Sequence, residues 1–407
     1  MQSEQQYIEL YTKAGEQIRS KSCDAMNRCR EQAFENFKRL GFPSQKVERY
    51  KYTNVNKAFE PDYGILLTPQ FQYIKKSPYI STLKDAAQET ACLYNSIADS
   101  NDALTLFNTT LAHECIVVNV GKGIKAEEPI EISWLIGGAV PVMQIRRILI
   151  VMGEGAEATV IINDKAKDNQ QLLTSQVVEI ICKDNSRLDI YDLEDTVVGM
   201  NRFSNTYINL GKDCTLKHNN ITLFNGLTRN LCDVKLLEKN SEVTLNGCAM
   251  ASGSQHIDNN TLIDHKSGYC TSNELYKYVL DDNAVGAFAG KILVEKEAQK
   301  TESQETNANL CASPTARMFT QPMLEIYADD VKCAHGSTVG VMDEKALFYM
   351  RQRGINEDEA RTLLKNAFMG QVIDQIKNEQ LRSKLTVKVE KRFRGELEKC
   401  ETCRLCK

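Results

Sequence analysis

This sequence carries no strong excess of charge of either sign. Its 407 residues hold 50 Lys and Arg against 54 Asp and Glu, for a formal net charge of −4. That balance argues against nucleic-acid binding, which needs a basic face to displace counterions. It gives no reason to expect a membrane partner either. Long hydrophobic runs are also missing. The most apolar stretch, residues 136–152, is interrupted by Arg146 and Arg147, so no transmembrane span is expected. The opening MQSEQQYIEL lacks the basic segment and apolar core of an export signal, and a cytoplasmic location is expected.

Several catalytic signatures are absent. There is no G-x-S-x-G elbow and no H-E-x-x-H pair. The nearest approach to a phosphate loop is GAFAGK, Gly286 to Lys291. It is one residue short of G-x4-G-K, and Ile292 stands where Ser or Thr is needed. The chain is therefore expected not to hydrolyse ATP itself, and the common hydrolases are disfavoured. Asn-Gly and Asp-Gly turns, which favour tight hairpins, are few.

What is present divides the chain into four regions. Residues 1–105 look helical: Ala33, Phe34, Phe37 and Leu40 recur at helical spacing, Gly41 reads as a stop, and Pro43 follows. Residues 106–340 are rich in short β-branched runs separated by polar or glycine-containing turns. Residues 341–390 return to helical periodicity. Asn356 and Glu359 resemble a capping pair, and Ala360, Leu363, Leu364, Ala367, Val372 and Ile376 form an apolar stripe. Residues 391–407 are a cysteine-rich tail.

Within the β region four segments share a turn followed by an alternating strand, starting at Gly155, Asn185, Asp213 and Asn240. A spacing of about thirty residues suits one coil of a β-solenoid, each coil covering the last. Evenly spaced hairpins in a sandwich are the alternative.

Fourteen cysteines are scattered along the chain. In a large chain without an export signal they are expected to be reduced, mostly buried thiols. Cys333 and His335 lie two apart, and on a strand they would share one face. Imidazole and thiolate are both iron ligands, although a lone C-x-H reads first as a buried structural pair. Cys400, Cys403 and Cys406 have a spacing that can converge on a metal or cluster, with a fourth ligand from elsewhere. An exposed thiol tail is the alternative. His113, His218, His256 and His265 stand alone and read as structural or surface residues. Asp192 to Asp195 reads as a solvated turn.

The stretch from Asp281 to Met350, DDNAVGAFAGKILVEKEAQKTESQETNANLCASPTARMFTQPMLEIYADDVKCAHGSTVGVMDEKALFYM, closely resembles the SufB/SufD family of the SUF iron–sulfur cluster assembly system. RQRGI (Arg351 to Ile355), FKRLGFP (Phe37 to Pro43) and ERYKYT (Glu48 to Thr53) extend the resemblance to about residue 385, and the length favours the SufD branch. The resemblance implies a right-handed parallel β-helix core flanked by N- and C-terminal α-helical regions. It implies a non-catalytic scaffold that pairs with a SufB-like paralogue along the β-helix edge. The C-terminal helix, with Leu363, Leu364, Ala367 and Phe368, would bind a SufC-like ABC ATPase. His335 matches the family histidine at the paralogue interface, with Cys333 beside it. No firmly bound cofactor is implied, only transient iron or a nascent Fe–S cluster at that interface. A homodimer along the same edge is compatible with the chain on its own. The cysteine tail has no counterpart in the family pattern. The rival readings are a SufB-type paralogue with a sulfur-acceptor site, and a β-solenoid carbohydrate-active enzyme or acyltransferase. The latter would need convergent carboxylates or a six-residue repeat, and neither stands out.

Overall fold

The turns establish the coil. In the computed structural model, which describes residues 3–65, 67, 71–72, 77–167 and 171–396, Gly155, Asn185, Asp213 and Asn240 all take φ between 56° and 66°. Gly, Asn and Asp are the residues that enter this left-handed region most readily. The same turn is made by Gly123 before them and by Tyr269 and Lys300 after them, at φ of 70°, 61° and 61°. The repeat therefore runs further than the four segments legible in the sequence.

Each turn joins a strand of one sheet to a strand of the other. Three short strands come first: β1 (Gly64–Ile65), β2 (Phe71–Gln72) and β3 (Ile80–Thr82). The first sheet then takes β4 (Ile116–Val120), β6 (Val142–Met152), β8 (Leu172–Cys182), β10 (Met200–Leu210), β12 (Leu227–Leu236), β14 (His256–His265), β16 (Val285–Val294) and β18 (Arg317–Ile326). The second takes β5 (Ile130–Ile136), β7 (Glu157–Ala166), β9 (Arg187–Asp195), β11 (Thr215–Phe224), β13 (Glu242–Ala251), β15 (Thr271–Leu280), β17 (Glu302–Cys311) and β19 (Lys332–Val341). Strands pair with the next strand but one, in parallel, as β15 does with β13 and β17. Hairpins in a sandwich would have paired consecutive strands, so the core is a parallel β-solenoid. Among the described residues, only β2 and β3 run antiparallel to their neighbours, β5 and β4, and they cover the first coil.

Inward side chains from both sheets fill the lumen. Ile132, Val160, Ile190, Leu216, Leu245, Ile257 and Phe288 belong to one continuous apolar cluster. Helices α1 (Glu4–Lys21), α2 (Asp24–Leu40), α3 (Val55–Ala58), α4 (Gln88–Ala91) and α5 (Ala103–Leu111) form the N-terminal region. Its Phe37, Phe59 and Phe107 pack on Met143, Leu149 and Phe203 of the first sheet's outer face. Gly41 ends α2 at φ 63°, as its position in the sequence implied. At the other end of the chain come α6 (Glu344–Gln352), α7 (Glu357–Ile373) and α8 (Glu379–Phe393). Asn356 caps α7 by accepting from the Glu359 amide at 2.8 Å. Met369, Val372, Ile376, Leu381 and Leu385 close over Tyr191, Leu223 and Val279 on the outer face of the second sheet. The molecule is thus layered as helices, sheet, sheet, helices.

Part of the lumen is ionic. Asp192 is not in a solvated turn: it lies within β9, is 3% exposed, and accepts from Arg202 at 2.7 and 2.8 Å. Asp164 accepts from Arg202 at 3.0 Å and pairs with Arg146 at 2.8 Å. The partners lie on other coils, so the local run of acids gave no sign of this compensation. Glu194, also buried, accepts from the Thr228 hydroxyl at 2.7 Å. Burial pushes its carboxyl up to about 8, despite the opposing pull of Arg202.

Removing one partner of a buried pair strands the other charge. Arg202→Ala should destabilise the fold by about 3–5 kcal/mol, measured by chemical denaturation, because it strands Asp192 and leaves Asp164 with Arg146 alone. Glu194 predicts a pH effect. Its folded-state value lies above the ordinary carboxyl value, so the native state holds the proton more tightly than the unfolded chain. Its contribution must then weaken as pH rises from about 5 to about 8. The thermal midpoint of Glu194→Gln relative to the unsubstituted protein should therefore climb across that window.

Candidate functional site at the open end of the solenoid

Strands β18 and β19 are the last in their sheets. Each is ten residues long and, among the described residues, no strand follows on its outer side. Their outward backbone N–H and C=O groups form two ready-made templates for pairing. The rim around them is apolar and exposed, with Phe319, Ile326, Tyr327, Val339 and Val341, the last 75% accessible. The N-terminal region reaches this rim: Tyr52 stacks on Phe319 with ring centres 4.9 Å apart, and Gln321 donates to Glu48 at 2.9 Å.

The facing of β19 follows from its register with β17. Ser303, Glu305 and Asn307 are buried inward residues, and they lie beside Cys333, His335 and Ser337. These three therefore line the lumen where it opens. Thr320 from β18 ties the two sheets together at the mouth, bonding Ser337 at 2.7 Å and Asn307 at 2.8 Å. His335 is exposed. Cys333 is half-buried against the cluster of Ile292, Val294, Ala298 and Ala328. Burial pushes its thiol up, against a smaller opposing effect of the Ser303 backbone, so the free thiol is not primed as a thiolate. The shared face read from the C-x-H spacing is present, with one member at the surface and the other packed.

One coil inward, Glu305 lies next to His335 in register, and Glu274 lies next to Glu305. Both are buried, and none of their four carboxylate oxygens has a hydrogen-bond partner. Nothing in the sequence singled them out. Their proximity comes from coil register, and the only local signal is a glutamate at an inward position of an otherwise ordinary strand. Among the described residues, no group of three His, Cys, Asp or Glu side chains converges as a ready metal site.

The other histidines are built into the framework. His113, His218 and His265 are buried, and burial lowers each to about 4. His265 bonds Ser272 at 2.9 Å, and His256 bonds Thr53 at 3.0 Å. Gly286 to Lys291 lies within β16, so the phosphate-loop look-alike is a strand. Cys400, Cys403 and Cys406 lie outside the described residues.

The C-terminal helices divide the expected contact set. Leu363 and Ala367 are exposed. Leu364 and Phe368 pack on the chain's own hydrophobic cluster, and the Lys277 ammonium sits 4.1 Å from the Phe368 ring centre. Phe348 and Tyr349 on α6, which the helical stripe did not include, are 64% and 59% exposed. The outward apolar surface of α6 and α7 is thus Phe348, Tyr349, Leu363 and Ala367, with Val387 exposed on α8. No helix among the described residues is long and apolar enough to cross a membrane.

Comparison with known proteins fits this arrangement. Residues 135–368 match the family described as SUF system FeS cluster assembly, SufBD core domain, and residues 1–81 match the SufBD protein N-terminal region. The iron–sulfur cluster assembly protein SufD of Escherichia coli is 28% identical over 392 residues, covering 90% of this chain and 92% of its own length. A SufBD family protein of Mycobacterium leprae is 31% identical over 282 residues, covering 67% of this chain and 71% of its own. The chloroplastic protein ABCI7 of Arabidopsis thaliana is 26% identical over 295 residues, covering 70% and 62%. A solenoid with an open, histidine-bearing end, matched over more than half its length by the core-domain family, places the chain in the SufBD family of iron–sulfur cluster assembly proteins.

Proposed function

We propose that the chain is a SufD-type scaffold subunit that works within a cytosolic complex, without catalysing a reaction of its own. It pairs with a SufB-like paralogue through β18 and β19, and it holds a SufC-like ABC ATPase on α6 and α7. The observation that carries this reading is the pair of uncovered edge strands with His335 at their mouth. Two exposed ten-residue edges with an apolar rim are an aggregation hazard unless another chain pairs with them. In the absence of the paralogue, a second copy of this chain would take the same edge.

Iron or a nascent cluster is then cargo at the interface, with no resident cofactor. A neutral imidazole at the rim can bind iron and release it. Cys333 would become a ligand only once metal displaces the proton that burial helps to retain. ATP chemistry belongs to the partner, since no Walker motif occurs in this sequence.

Anaerobic affinity purification at native abundance should recover an ABC ATPase and a larger paralogue with this chain. Recovery of the chain alone would overturn the reading. Because His335 is exposed, His335→Ala should leave stability within about 0.5 kcal/mol while impairing cluster formation by the purified complex. Normal cluster formation would remove His335 from the proposal. Phe348→Asp with Leu363→Asp should abolish ATPase binding and retain the paralogue. Leu364 and Phe368 are unsuitable for that test because their loss would loosen the chain's own packing.

A further inference from the structure

The lumen contains an electrostatic anomaly two coils deep. In the second sheet one inward position runs through His218, Leu245, Glu274, Glu305 and His335 on successive coils. Neighbouring coils are about 4.8 Å apart, so the two carboxylates lie side by side. Elsewhere in the lumen buried acids have partners: Asp164 and Asp192 meet Arg146 and Arg202. Glu274 is 2% exposed and Glu305 is 0%, yet all four of their oxygens lack hydrogen-bond partners. The Thr261 hydroxyl favours the ionised form of Glu274, against the larger opposing effect of burial. Two adjacent buried carboxylates cannot both remain charged without a compensating positive species.

The opposite wall is built of small residues. Across the lumen, register pairs Thr261 with Gly290 and Gly290 with Pro322, so small residues face the two acids. A Cβ built on Gly290 would lie 2.6 Å from Glu305 Oε1. The glutamate therefore reaches across the lumen into space that any other residue at 290 would fill. A shared proton satisfies one oxygen of each acid and leaves the other two unserved. A hard divalent cation such as Mn(II) prefers carboxylate oxygen and completes its shell with water, and the borderline Fe(II) also accepts such ligands.

We infer that Glu274 and Glu305 form a station for a hard divalent cation inside the solenoid, behind His335 and reached through the open mouth. Its use in cluster assembly rests on the function proposed above, but the binding site itself does not. The pair supplies two protein ligand groups, with Thr261 at hand and water filling the remaining positions. That makes a holding site open to exchange, with His335 the next ligand along the same column.

The test uses the full chain and Mn(II), which binds carboxylate and avoids the thiolates of the tail. Loss of the free-Mn(II) signal in electron paramagnetic resonance measures binding. One Mn(II) per chain is expected, with Glu305→Gln and Glu274→Gln each weakening it by about tenfold or more. Both substitutions keep side-chain shape and remove a buried charge, so the variants fold, and a thermal melt on each verifies this. No binding by the unsubstituted chain would overturn the inference. So would glutamine variants that bind normally and merely melt at higher temperature, which is the result for a shared proton only. Loss confined to His335→Ala would place the cation at the mouth and overturn it too. Cluster formation by the purified complex is scored separately. A complex that builds clusters around a chain that binds no Mn(II) refutes this site and leaves the scaffold role standing.

Discussion

In a parallel solenoid every coil hydrogen-bonds to the coil before and after it, so each inward side chain lies over the same position one coil away. Register is therefore the constraint that gives other contacts in the lumen their meaning. It sets Ser272 beside Ser303, whose hydroxyls meet at 2.6 Å, and Cys333 beside Ser303 in turn. It brings Arg202 to Asp164 and Asp192 from strands on three coils. A slip of one residue would turn each of these side chains to the other face of its sheet. The ionic lattice in the lumen penalises that slip more steeply than apolar packing alone, because a displaced Arg or Asp would remain buried without its partner.

The helical layers complete what the sheets begin. Each sheet has a second face that would expose Leu149, Phe203, Tyr191 or Val279 to water if left bare. The N-terminal region covers one and the C-terminal helices cover the other. The Arg147–Glu179 pair, buried at 2.6 Å, also serves the N-terminal cover, since Glu179 accepts the Asn95 amide at 2.8 Å. With both faces and the first coil covered, the last coil is the part of the solenoid that the described residues leave uncovered. The open end is thus a consequence of how the rest is closed.

Much of this was legible in the sequence because it depends on local chemistry. Gly155, Asn185, Asp213 and Asn240 marked the coil because those residue types enter a left-handed turn readily. Tyr269 and Lys300 make the same turn without being typical of it, and so passed unnoticed. Asn356 announced the start of α7 through its own side chain. What failed to show was long-range. Asp192 and Glu194 looked solvated because Arg146, Arg202 and Thr228 belong to other strands. The stripe on α7 revealed an apolar face but not that Leu364 and Phe368 were already taken by the solenoid. His335 stood out through resemblance to a family, and Glu274 and Glu305 only through register.

The uncovered edges also bear on how much of the free chain a cell can tolerate. Two bare strands of ten residues offer the same template to any extended segment they meet, including an unfolded copy of this protein. Encounters between copies rise with the square of concentration, whereas capture by a waiting partner rises only in proportion to it. Surplus copies are therefore driven toward clumping faster than toward useful work. The architecture favours a supply matched to whatever covers the edge, and prompt disposal of the excess.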